Sequence, residues 1–140
     1  MKTDAERALE QLADGGCTAV LCRDGELFVS RERGVKPLLD WLDSGRDFRG
    51  FSAADKVVGK AAAFLYVLLG VREVRAPVMS EGAAETLARY GVLFRCDTLS
   101  PEIRNRAGTG LCPMEQAVRS VGAPEEALAA IRRTLRQLQK

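Results

Sequence analysis

The sequence contains no histidine, and this absence removes several common catalytic and metal-binding arrangements. A Ser-His-Asp triad and a Cys-His nucleophile pair both need an imidazole as the general base. Many zinc sites use histidine ligands as well. Any catalysis by this chain would therefore have to use carboxylates, lysines, thiols or backbone groups.

The chain also lacks a strong charge of one sign and a long hydrophobic run. Its 21 basic and 19 acidic residues give a net charge of +2, so we do not expect nucleic acid as a partner. The longest apolar stretch, 61–69, is far shorter than the ~18 residues that cross a bilayer, so we expect no membrane partner. The four cysteines are unevenly spaced and the first residues do not resemble a signal peptide, which predicts a cytoplasmic protein.

The composition predicts one compact domain spanning residues 1–140, because 46% hydrophobic residues over 140 positions can form a single core.

Thr3 and Glu6 form a capping box at the start of a short helix. Two β-prone runs, 17–22 and 26–30, flank Asp24-Gly25, which is a strong hairpin signal. A short helix over 35–42 follows.

The segment 52–69 is predicted to be the central helix. Ser52 and Asp55 look like a capping-box start, and the later residues are apolar on every face. A buried strand over 71–79, a helix over 80–90 and a strand over 92–96 then favour a parallel crossover. A short helix beginning near 113 and a longer helix beginning near 124 complete an α/β order of elements. We expect a mixed sheet with an antiparallel first pair and helices on both faces.

Ligands of such sheets bind beyond the carboxyl ends of the parallel strands, where the next helices begin. Asp55 is therefore a candidate pocket carboxylate, binding a ribose hydroxyl or acting as a base or nucleophile, although it is equally well explained as a capping partner of Ser52. Lys56 and Lys60 are four residues apart and would share a helix face, so one of them is expected to meet a ligand phosphate or Asp55. Gly59 suggests a close approach by backbone or ligand, or tight helix packing.

A second group of candidates lies at the next helix start. Ser80, Glu81 and Gly82 place a hydroxyl, a carboxylate and backbone N–H groups where an anion can bind, although Ser80 also fits a plain N-cap. The loop 106–110 could surround a phosphate but lacks the Gly-Lys-Ser or Gly-Lys-Thr ending of a P-loop.

Cys112 precedes Pro113 at a helix start, an environment that activates a thiol. With no histidine to act as base, a buried or ligand-contacting role for Cys112 is preferred over a catalytic one. Glu115, in the same short segment, is assigned as a ligand-binding residue.

Four blocks of the sequence resemble a small prokaryotic family of unknown function, domain-of-unknown-function family 1893. The resemblance covers nearly the whole chain, and the blocks that carry it are 30–38 (SRERGVKPL), 51–62 (FSAADKVVGKAA), 76–83 (APVMSEGA) and 112–115 (CPME). The family resembles the cytidine-deaminase-like fold, which implies a three-layer α/β/α mixed sheet.

The zinc motifs of that fold are replaced in this chain. Zinc deaminases carry His-x-Glu or Cys-x-Glu at the start of the central helix and Pro-Cys-x-x-Cys at the start of the next. Here these places hold 54–57 (ADKV) and 77–81 (PVMSE). The resemblance therefore implies a nucleotide-sized pocket without a metal site and without hydrolytic deamination by zinc-bound hydroxide.

Three functions follow from this reading. The first is zinc-free binding of a nucleotide or other phosphate-bearing metabolite between the starts of the 53–69 and 80–90 helices, with no metal cofactor. The second is a non-metal enzyme that uses Asp55 or Cys112 as a nucleophile on a nucleotide-type substrate. The third is a structural module that forms a homo-oligomer, with the last helix as the candidate contact between its copies.

Overall fold

The computed structural model describes residues 2–103 and 112–138. Within these ranges the chain forms six helices and six strands. The helices are α1 (Asp4–Asp14), α2 (Lys36–Asp43), α3 (Lys60–Leu69), α4 (Glu81–Arg89), α5 (Pro113–Ala117) and α6 (Pro124–Leu138). The strands are β1 (Ala19–Arg23), β2 (Glu26–Ser30), β3 (Ser52–Asp55), β4 (Val57–Val58), β5 (Glu73–Ser80) and β6 (Leu93–Ser100).

All six strands belong to one mixed sheet, as predicted. β1 is antiparallel to β2 on one side and to β3 on the other, whereas β3, β4 and β6 are parallel to β5. β3 and β4 lie end to end along β5, and both pair with it in the same register. The order across the sheet is therefore β2, β1, the β3/β4 line, β5 and β6.

The local signals near the amino terminus are confirmed. The Thr3 hydroxyl accepts from the backbone N–H of Glu6, whose carboxylate accepts from the backbone N–H of Thr3. The turn between β1 and β2 places Asp24 and Gly25 at φ values of 51° and 84°, which a two-residue hairpin of this twist requires.

The prediction of one helix over 52–69 is wrong for the residues before Lys60. Ser52 to Val58 form β3 and β4, and α3 begins at Lys60 with Gly59 as its N-cap. The strand is fixed by tertiary contacts, since β3 lies between β1 and β5 and beneath α1, with Ala53 and Ala54 both fully buried. Burial in a central strand thus outweighs the helix-favouring composition.

Helices cover both faces of the sheet. On one face α1 packs Ala8 and Leu12 against Val20 and Cys22 of β1 and Ala54 of β3. On the other face lies the main core around α3, which is surrounded by α2, α4, α5 and α6. This confirms that the apolar segment 61–69 is a buried helix. No helix among the described residues is long and apolar enough to span a membrane.

α6 uses its apolar face within its own chain. Ala127, Ala130 and Ile131 are buried, and the helix packs against α3 and α5. The last helix therefore does not offer the uncovered apolar stripe that the sequence suggested, although Leu138 at its end is exposed.

Candidate functional site

The parallel arrangement brings the carboxyl ends of the β3/β4 line, β5 and β6 to one edge of the sheet. α3 follows β4 after one residue and α4 follows β5 directly, so both helices begin at this edge. Three shallow depressions lie along it, and neighbouring depressions share lining residues. This is where ligands bind in most open α/β sheets.

Asp55 ends β3 and is a buried carboxyl group. Its Oδ2 accepts a 2.7 Å hydrogen bond from the hydroxyl of Tyr66 in α3, and hydrogen bonding from the nearby backbone at Val57 and Lys56 also favours the charged form. Burial raises the pKa of Asp55 to about 7 because desolvation of the charged form outweighs these hydrogen bonds. Asp55 is therefore a protonatable group in a strand, and not a capping partner of Ser52.

The first depression opens above Asp55 and has a volume of about 230 Å³. Lys56 lies in the break between β3 and β4, and Arg33 comes from the loop between β2 and α2; both side chains are exposed. Neither forms an ion pair with another described residue. The complete lining is Thr18, Ala19, Arg33, Gly34, Asp55, Lys56 and Val57.

Glu115 of α5 binds the amino terminus of α3. Its Oε1 accepts from the backbone N–H of Lys60 at 2.8 Å, and its Oε2 accepts from that of Ala61 at 3.0 Å. A Cβ at position 59 would lie 2.5 Å from Cδ of Glu115, so only glycine permits this approach. The close approach that Gly59 suggested is therefore confirmed. It is made by a side chain of the protein itself, Glu115, which lies 55 residues from Lys60 along the chain.

Cys112 lines the second depression, which has a volume of about 160 Å³. It is the N-cap of α5, is half-buried, and packs against the main core. This depression shares Gly34 and Val57 with the first one. Glu115 lies between it and the third depression.

The third depression lies between the starts of α3 and α4 and has a volume of about 150 Å³. Ser80 is a plain N-cap whose hydroxyl accepts from the backbone N–H of Ala83 at 3.0 Å. Lys60 directs its ammonium group to the carbonyl of Arg119 at 3.2 Å. A Cβ at position 82 would lie 3.6 Å from Cβ of Lys60, an ordinary contact distance, so Gly82 marks no close approach. Glu81 is exposed in the first turn of α4.

The structure thus divides the predicted pocket. Lys60, Ser80, Gly82 and Glu115 line one depression, whereas Asp55 and Lys56 line another and Cys112 lies between them. The shared face predicted for Lys56 and Lys60 is wrong, because Lys56 precedes the helix. The loop 106–110 lies outside the described residues.

Sequence reasoning missed several residues of this edge. Thr18 and Arg119 line two of the depressions and Tyr66 binds Asp55, yet the sequence singled out none of them. Nothing in the local pattern around Tyr66 distinguishes it from the other apolar positions of α3. Within residues 2–103 and 112–138, no three or more cysteine, aspartate or glutamate side chains cluster closely enough to hold a metal ion.

Comparison with known proteins identifies the family. Residues 7–135 match the family TM1506, a domain of unknown function (DUF1893). The chain belongs to the DUF1893 family. Its fold is similar to the crystal structure of a DUF1893 family protein, TM1506, from Thermotoga maritima, with a TM-score of 0.84 and 27% sequence identity over 98% of this chain and 92% of that one. No curated protein matches the chain. Membership in DUF1893 therefore accounts for the sequence blocks and carries no assigned reaction.

Proposed function

We propose that this DUF1893 protein binds a small phosphate-bearing metabolite, of the nucleotide class, along the carboxyl edge of its sheet. The observation that carries the proposal is the first depression. Its lining combines a buried carboxyl group, Asp55, with two exposed cations, Lys56 and Arg33.

These groups suit the two ends of such a ligand. Arginine and lysine side chains bind phosphate oxygens through charge-assisted hydrogen bonds. A carboxyl group in a low-dielectric site accepts hydrogen bonds from ribose hydroxyls or base N–H groups, and donates one when protonated. Because the pKa of Asp55 is raised to about 7, both states are accessible near neutral pH.

The α3 amino terminus is a less suitable phosphate site. Its backbone N–H groups already bind the Glu115 carboxylate. The proposal therefore moves the phosphate from the starts of the two helices, where the sequence suggested it, to the break between β3 and β4.

The sheet topology supports the deaminase-like architecture that the sequence suggested. The strand order β2, β1, β3/β4, β5, β6, with only β1 and β2 forming an antiparallel hairpin at one side, is compatible with it. At the helix starts, the chain carries Gly59-Lys60-Ala61 and Ser80-Glu81-Gly82, none of which is a zinc ligand of the deaminase type.

We place the protein in the cytoplasm as part of the same proposal.

Isothermal titration calorimetry with nucleoside monophosphates and with inorganic phosphate tests the proposal. Lys56→Ala and Arg33→Ala should each weaken binding by about tenfold or more, since a hydrogen bond to a charged group contributes roughly 1.5–3 kcal/mol. Lys36→Ala is the matched control, because Lys36 pairs with Asp40 on the surface of α2. Absence of binding to every compound, or equal affinities for all three variants, would contradict the proposal.

The enzymatic alternative uses the same edge. In it, the Asp55 carboxylate or the Cys112 thiolate forms a bond to an electrophilic atom of a nucleotide-type substrate while the leaving group departs with the electron pair. Asp55 and Cys112 line neighbouring depressions, which share Gly34 and Val57. Intact-mass spectrometry under denaturing conditions would show the adduct, and Asp55→Asn or Cys112→Ser would remove it. Mass lost on denaturation indicates non-covalent binding instead.

A further inference from the structure

Two adjoining depressions on the carboxyl edge of the sheet differ in their chemistry. The first, which Asp55 lines, also has the exposed cations Lys56 and Arg33 in its lining. The second, which Cys112 lines, has walls made almost entirely of apolar side chains. These are Val35, Val57, Ala61, Ala62, Ile103 and Met114. The first depression therefore suits a charged group, and the second suits an uncharged one.

The two depressions are continuous with one another. Gly34 and Val57 line both of them. Gly34 has a φ of 63°, and a Cβ at this position would meet no heavy atom within 4 Å apart from its chain neighbours. The boundary at Gly34 is therefore open, and one small molecule can extend from the first depression into the second.

The charges around the second depression fix the orientation of such a molecule. Among the described residues that line it, Glu115 is the only one with an acidic or basic side chain. Its two carboxylate oxygens already accept from the backbone N–H groups of Lys60 and Ala61. A phosphate placed there would lie beside a carboxylate without a lining cation, which is unfavourable. The phosphate therefore belongs in the first depression, and the uncharged part of the ligand in the second.

The size of the second depression limits the uncharged part to about one ring. Its volume is about 160 Å³. An apolar cavity of about 150 Å³ in a protein core binds a benzene molecule. Ala61 and Ala62 contribute only methyl groups to the wall formed by α3, which leaves this volume free. A ring that enters it removes apolar surface from water and adds affinity beyond that of the phosphate contacts.

We propose that the second depression binds one ring of the ligand whose phosphate Lys56 and Arg33 hold, and thereby selects ring-bearing phosphate esters over small ones. This inference rests on the proposed function, because it uses the same phosphate site. Two cations bind the phosphate group of any ester, so they do not distinguish one ester from another. The apolar depression is the part of the site that makes the distinction.

Calorimetric titration of the full chain with phenyl phosphate and methyl phosphate tests the proposal, because the two esters carry the same charged group. Phenyl phosphate should bind about tenfold or more tightly than methyl phosphate. Cys112→Leu enlarges a half-buried side chain of the second depression and should abolish this preference while leaving the affinity for methyl phosphate unchanged. Cys96→Leu is the matched control, since Cys96 is also half-buried against the main core but lines none of the three depressions.

Methyl spectra of protein labelled at its methionines locate the ring without relying on a variant. Phenyl phosphate should shift the methyl resonance of Met114, which lines the second depression, through the ring current, whereas methyl phosphate should not. Met79 is the internal reference, because it is fully buried in the main core and lines none of the three depressions.

The outcomes separate failure of the ring site from failure of the proposed function. If the two esters bind with equal affinity and Lys56→Ala weakens both, the phosphate site stands and the ring site is wrong. A preference that survives Cys112→Leu, a preference that Cys96→Leu also abolishes, or an unshifted Met114 resonance overturns the ring site as well. Absence of binding by both esters and by inorganic phosphate overturns the proposed function and this inference together.

Discussion

The hydroxyl of Tyr66 donates a 2.7 Å hydrogen bond to Oδ2 of Asp55, and both side chains are buried. The bond connects the centre of α3 to the end of β3, and among the described residues Tyr66 is the only side chain that donates to this carboxyl group. It holds the proposed ligand-binding carboxyl in place from below the depression.

Removing the donor should destabilise the fold. Tyr66→Phe keeps the ring in the core but leaves the buried carboxyl without its hydroxyl donor, which costs about 1–3 kcal/mol. Urea denaturation of the wild type and the variant measures the difference. An unchanged free energy of unfolding would show that the bond contributes nothing to stability.

The stability of the protein should depend on the protonation of Asp55. Its folded-state pKa of about 7 is raised above the usual value near 3.8 by burial, so the folded chain holds this proton more tightly than the unfolded chain. The resulting stabilisation is present below pH 4 and is lost as the pH rises through 7. Asp43 and Asp47 have lowered pKa values and act in the opposite direction, but both are exposed beside arginines and contribute little.

Comparison with Asp55→Asn isolates this contribution. Relative to the variant, the wild type should lose stability on the order of a few kcal/mol between pH 4 and pH 8. Thermal unfolding of both proteins across this range provides the measurement. Parallel pH profiles for the two proteins would refute a raised pKa at Asp55.

Gly59 and Gly82 should respond differently to the same substitution. Gly59→Ala would place a methyl group 2.5 Å from Cδ of Glu115, displacing the carboxylate from the two N–H groups that it binds, at a cost of about 1–3 kcal/mol. Gly82→Ala adds only an ordinary contact with Lys60 inside α4 and should be neutral or stabilising by up to about 1 kcal/mol. Equal effects of the two substitutions on the unfolding free energy would contradict this assignment.

The charge of Glu115 should matter in addition to its hydrogen bonds. Glu115→Gln retains one acceptor oxygen but loses the negative charge at the positive end of the α3 dipole, and should cost about 1–2 kcal/mol. Glu125→Gln, in the first turn of α6, is a control at an exposed helix start. Chemical denaturation of both variants measures the two losses, and a loss for Glu125→Gln as large as that for Glu115→Gln would contradict a specific role of the half-buried Glu115 contact.

The elements that local signals specify were predictable from the sequence. The capping box of Thr3 and Glu6, the Asp24-Gly25 turn and the N-cap Ser80 each satisfy backbone groups within a few residues, so their geometry can be read from a short stretch of sequence. The antiparallel first pair and the parallel crossover followed from the order of these elements.

The segment 52–58 and the contacts of the site depend on distant residues. Ser52 and Asp55 imitate a helix start, and Ala53 and Ala54 favour a helix, yet neighbouring strands and α1 determine the outcome. The local signal that favours a strand here, and that the helix prediction passed over, is the pair of β-branched residues Val57 and Val58 before Gly59. The binding of Glu115 to α3 joins residues that are 55 positions apart, which no local pattern reveals.

The central claim is that a phosphate-bearing ligand binds in the depression above Asp55. Titration of isotopically labelled protein with nucleoside monophosphates, followed by amide chemical shifts, tests it most directly. The account predicts saturable shifts concentrated at Thr18, Arg33, Gly34, Lys56 and Val57, which line that depression. Shifts concentrated instead between α3 and α4 around Arg89 and Tyr90, or no saturable shifts for any nucleotide, would contradict it.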